Sequence, residues 1–100
     1  MQQQKDLSQI RKILRKQLPF LRKRYKVKSL GLFGSYVREQ QGARSDLDIL
    51  VVFNETPSLL KFIEIENFLS DFLGIKVDLV MKDALKPRIG QRILKEVVVI

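Results

Sequence analysis

The chain has 100 residues, enough for one domain with a modest core and not for two. It contains neither Cys nor His, which excludes disulfide frameworks, thiolate or imidazole metal sites and any triad built on an imidazole base, so catalysis here must run on carboxylates, hydroxyls, Lys and Arg. The net charge of +8 is unevenly placed: the first 44 residues carry twelve Lys and Arg against two acids, the remainder seven against nine, and such asymmetry suits an anionic partner.

Taken in chain order, Leu7, Ile10, Leu14, Leu18 and Leu21 recur at helical spacing with Lys and Arg between them. They predict an amphipathic helix over residues 6–24, interrupted near Pro19. Residues 27–33 read as a first strand ended by Gly34, residues 36–41 as a short helix, and residues 41–45 as a loop. Residues 46–53 are the clearest strand. Thr56 is placed to cap the next helix with Pro57 at its first position, and apolar spacing from Leu59 to Leu73 carries that helix to Gly74. A third strand is expected over 75–80, a last helix from Pro87 over 87–95, and a short terminal strand over 97–100. This order predicts a single α+β domain spanning residues 1–100, with a mixed sheet and helices mainly on one face.

Two features carry chemistry. Asp46 and Asp48 lie one residue apart in a strand, so both side chains project from the same face, about 7 Å apart along the backbone. Asp is disfavoured in strand interiors, and two on one face repel each other unless a cation lies between them. In the third strand, Asp78 alternates with Val77 and Leu79 and is placed to join that face. Open carboxylate oxygens are what a hard divalent cation such as magnesium requires. Upstream, Gly34 and Ser35 form a turn whose backbone N–H groups and hydroxyl are suited to phosphate oxygens. Arg38 lies within reach of the same anion, whereas Arg44 and Ser45 read as loop residues. Leu50, Val52 and Val80 share the carboxylate face; they imply either a partner surface or burial beneath the first or last helix.

Gly34-Ser35, then Asp46-Leu47-Asp48 ten residues on, then a later strand carrying Asp78, resemble the polymerase beta-like nucleotidyltransferase superfamily. The size is similar to that of its minimal nucleotidyltransferases, the antitoxins of HEPT/MNT toxin–antitoxin pairs. The resemblance implies a polymerase beta-like palm fold and a transfer of AMP from ATP to a hydroxyl, assisted by two Mg2+ ions. On that basis Gly34, Ser35 and Arg38 would hold the phosphates. Asp46, Asp48 and Asp78 would bind metal, with Asp78 also helping to deprotonate the acceptor. Val37 and Glu39 stand where the family often has smaller residues. The implied partner is a HEPT-type toxin, adenylylated on a tyrosine, in a hetero-oligomer or beside a homo-oligomer. A cytoplasmic location and no membrane association are expected, with nucleic acid a lesser candidate. The alternative is a non-catalytic antitoxin or adaptor that neutralises its partner by contact.

Overall fold

The structure, a computed structural model, describes residues 6–38 and 46–100. Of the expected helix at 36–41, only 36–38 are described, and these form a turn. Glu39, Arg44, Ser45 and the loop at 41–45 lie outside the described residues.

Helix α1 spans Leu7–Tyr25 and opens on a reciprocal cap. Asp6 accepts from the Gln9 N–H at 2.9 Å, and the Gln9 side chain accepts from the Asp6 N–H at 3.0 Å, so two otherwise unpaired donors are satisfied. Arg22, Lys23 and Arg24 occupy the last turn, where cations complement the helix dipole. Contrary to expectation, α1 runs through Pro19 without interruption. Pro19 lies on the exposed side, while Leu18 and Leu21 beside it are buried, and their packing holds the helix together across the missing hydrogen bond.

The sheet has the order β3-β2-β1-β4, with β1 Val27–Phe33, β2 Leu47–Phe53, β3 Val77–Met81 and β4 Val98–Val99. Strand β1 is antiparallel to β2 and β4, whereas β2 and β3 are parallel. A parallel pair needs a crossover, and helix α2, Leu59–Leu73, supplies it. Its cap is Ser58, whose hydroxyl accepts from the Lys61 N–H at 3.2 Å, and not Thr56. Pro57 therefore precedes the cap and lies outside the helix, while Ser58 takes the extended backbone a cap requires. Gly74 closes α2 in the left-handed conformation, as its position predicts. Helix α3, Pro87–Glu96, has Pro at its first position.

Leu30 and Leu32 of β1, Leu47, Ile49 and Val51 of β2, and Val77 and Leu79 of β3 form one core with Ile10, Leu14, Leu18 and Leu21 of α1 and Ile65, Leu69 and Leu73 of α2. A bulge between Val27 and Ser29 keeps Val27 on that face with Leu30. The opposite face carries Phe33, Asp48 and Asp78 in one row and Gly31, Leu50 and Val80 in the next. Helices α1 and α2 thus share one face, and α3 lies beside the other, where its side chains line a cavity with Phe33 and Asp48. Leu50 on this second face is buried. Its register partner Gly31 is so close to Val97 that a Cβ there would collide with the valine side chain. The chain just after α3 thus covers part of the apolar row that the sequence left open.

Candidate active site

Strand register builds the site. Phe33, Asp48 and Asp78 are successive partners across β1, β2 and β3, so the two aspartates stand on adjacent strands about 4.8 Å apart at the backbone. Asp46 immediately precedes β2. Its carboxylate is 3.9 Å from the Lys76 ammonium, a solvent-exposed ion pair. Burial pushes the Asp48 carboxyl above the usual aspartate range, and the charges of Asp78 and then Asp46 push it further; Arg38 opposes them and Glu96 adds to them. The negative field of the three aspartates therefore does meet at Asp48. As placed, no group of three or more acids among the described residues closes around a single ion position.

The phosphate-type turn abuts this row. Gly34 has φ of +81°, and a Cβ on it would strike the Asp48 carboxylate, so both backbone shape and space require glycine. The Gly34 carbonyl accepts from the N–H groups of Val37 and Arg38, each at 3.1 Å. Tyr36 is buried in the core and Val37 packs against it, which pins the turn to the body of the protein. Ser35 is half-buried at the tip. Asp48 and Asp78 thus come from two neighbouring strands, Asp46 from the residue before β2, and Gly34, Ser35 and Arg38 from the turn after β1.

Two further residues of the site, which the sequence reading did not single out, come from α3. The Glu96 carboxylate accepts from the Gly34 N–H at 3.1 Å and from the Arg38 guanidinium at 3.1 and 3.2 Å. Arg92 lies one turn earlier, and with Phe33, Gly34, Arg38, Asp48 and Glu96 it lines a cavity of about 250 Å³. A signal did exist: an acid at the last position of a helix opposes the dipole and calls for a cationic partner.

A carboxylate pair on neighbouring strands, flanked by a glycine turn and two arginines, is suited to handling polyphosphate. The sequence profile of the nucleotidyltransferase domain matches residues 14–100. The chain belongs to this family. Protein adenylyltransferase MntA of Thermococcus cleftensis is 52% identical to this nucleotidyltransferase over 92 residues, covering 92% of the chain and 93% of the relative. MJ0128 of Methanocaldococcus jannaschii, provisionally named a protein adenylyltransferase, is 58% identical over 82 residues, or 82% and 84% of the two chains. Among solved structures, one provisionally described as a minimal nucleotidyltransferase superposes with a TM-score of 0.79 at 32% identity, covering 97% of this chain and 98% of that one. A toxin–antitoxin crystal structure with AMP-PNP gives 0.72 at 28% identity, over 85% of this chain and 69% of that one. The fold is therefore the α+β fold of the minimal nucleotidyltransferases, and this nucleotidyltransferase is an enzyme of that kind.

Proposed function

We propose that this nucleotidyltransferase moves AMP from ATP onto a hydroxyl of a partner protein, acting as the antitoxin that adenylylates a tyrosine of a HEPT-type toxin in the cytoplasm. The observation that carries the reading is the pairing of Asp48 with Asp78 directly beside the Gly34 turn. Support comes from the relatives named protein adenylyltransferases and from the similar chain solved as part of a toxin–antitoxin pair with AMP-PNP.

The donor set fits magnesium in its chemistry. Every candidate ligand is a carboxylate oxygen, and the Asp48 carboxyl, pushed up first by burial and then by the charges of Asp78 and Asp46, carries a repulsion that a divalent cation would relieve. Asp46 and Asp48 would hold both ions and Asp78 one. When bound, the ions would stabilise charge on the attacking and leaving oxygens. The chain's own residues do the rest. The Gly34-Ser35 turn and Arg38 bind and orient the β- and γ-phosphates, exposing the α-phosphorus to the acceptor. Asp78 takes the proton of the acceptor hydroxyl. That oxygen forms a bond to the α-phosphorus, the bond from phosphorus to the bridging oxygen breaks, and pyrophosphate leaves with the electron pair.

The test is incubation of the protein with α-labelled ATP, magnesium and the product of the neighbouring gene, followed by mapping of the label. Label on a toxin tyrosine, lost with Asp46→Asn plus Asp48→Asn in a folded protein, is the expected result. Undiminished transfer by the double variant would remove the metal roles. Protection without any label would instead support neutralisation by contact.

A further inference from the structure

Glu96 sits where a phosphate is expected. Its carboxylate engages two groups assigned above to the triphosphate site, the Gly34 N–H at the turn and the Arg38 guanidinium. Three charge-assisted hydrogen bonds converge on it. The side chain is only 28% exposed, and it lines the same cavity as Asp48.

We propose that Glu96 sets the affinity of the site for polyphosphate by acting as an internal anion on the donors that a triphosphate must take over. This rests on the nucleotide-site reading above. Glu96 and the ligand compete for the same donors. Glu96 is tethered at the end of α3, so its effective concentration at the turn is high, and a ligand that takes over the Gly34 N–H and these Arg38 N–H groups must displace it. A single-charged anion offers no more than the carboxylate already provides. A polyphosphate offers several charges and further oxygens, so the site discriminates in its favour. Glu96 also has a reason to let go. It lies at the negative end of a helix and adds its charge to the field at Asp48, so an arriving triphosphate increases the repulsion on it. Arg92, one helical turn earlier, lines the cavity and makes no ion pair among the described residues, which gives the displaced carboxylate a second cation.

The experiment compares wild type with Glu96→Gln, which keeps an oxygen acceptor for the Gly34 N–H and removes the charge. Binding of inorganic tripolyphosphate and of a non-hydrolysable ATP analogue is measured by calorimetry with magnesium present, and melting curves confirm that both proteins are folded. Loss of the competing charge is expected to tighten both ligands about tenfold, within the range of one hydrogen bond to a charged group. Glu96→Asp, which keeps the charge on a shorter arm, is expected to fall between the two. Equal binding by wild type and Glu96→Gln would overturn the proposal while leaving the nucleotide site intact. Weaker binding by Glu96→Gln would also overturn it, showing that the carboxylate positions Arg38 for phosphate. No binding by any of the three proteins would remove the nucleotide reading and this proposal together.

Discussion

Asp48 and Asp78 face each other as register partners across the parallel β2–β3 pair, two like charges on neighbouring strands. Such a pairing is destabilising by itself, and burial compounds it at Asp48. Replacing Asp48 by Asn removes one of the two charges without changing shape. The metal-free variant is expected to melt about 2–5 °C above wild type, a modest gain because Asp78 is exposed and Asp48 only partly buried. Thermal melts at pH 7 in a chelating buffer check this, and a lower melting temperature for Asp48→Asn would contradict it.

The same pair predicts a pH dependence with a definite sign. Asp48 is raised in the folded state, so between the ordinary aspartate value and its folded value the native protein binds more protons than the unfolded chain. Stability from this group is present at low pH and lost as pH rises through the folded value. The melting difference between Asp48→Asn and wild type should therefore be greatest near neutrality. It should shrink as pH falls through the folded value and fade out below the ordinary aspartate value of about 3.9. A difference that grows on acidification would refute the assignment.

Magnesium should act on the two proteins unequally. A ligand that binds only the native state raises its melting temperature by mass action. Millimolar magnesium is expected to raise wild type by a few degrees and to leave Asp46→Asn plus Asp48→Asn unmoved. A rise of equal size in both would place the ion elsewhere.

Gly34→Ala probes the turn. Left-handed backbone costs a residue with a Cβ about 1–2 kcal/mol, and here the new methyl would also meet the Asp48 carboxylate. A fall in melting temperature of about 5–10 °C is expected, with adenylyl transfer reduced at least tenfold in protein that is still folded. Transfer at the wild-type rate would show that the turn does not position the nucleotide.

Pro19→Ala tests the helix that ignored its proline. A proline in a helix interior costs about 3 kcal/mol relative to alanine, and this one lies on the exposed side of α1. The substitution is expected to raise the melting temperature by about 5 °C or more. No gain would mean that the surrounding packing already absorbs the whole penalty.

How much of this was visible beforehand depended on the range of the interaction. Local alternation located β1 and β2, and Gly74 marked the end of α2, because each is decided within a few residues. The bulge at Val27 was invisible, since it exists only against Phe53 and Val52 on the partner strand. Pro19 misled because tertiary burial of Leu18 and Leu21 outweighed a local penalty. Thr56 misled because two hydroxyl residues flank Pro57, and only the folded backbone selects Ser58. At the site, spacing put Asp46 and Asp48 on one face and alternation put Asp78 on a strand of its own. The adjacency of Asp48 and Asp78 required the parallel register, and Asp46 falls just before its strand. Glu96 escaped because its partner Arg38 is 58 positions away.

The two flanks of the sheet are unequal. On the β3 side, the outward N–H groups of Val77 and Leu79 are taken by Ser70 Oγ at 3.0 Å and Glu66 Oε2 at 2.8 Å, both from α2. An incoming strand finds those donors already engaged there. The other flank is the two-residue β4, with Val99 left in solvent. Any β-augmentation of this enzyme by another chain is thereby steered to one border, the one adjoining the helix that bears Arg92 and Glu96.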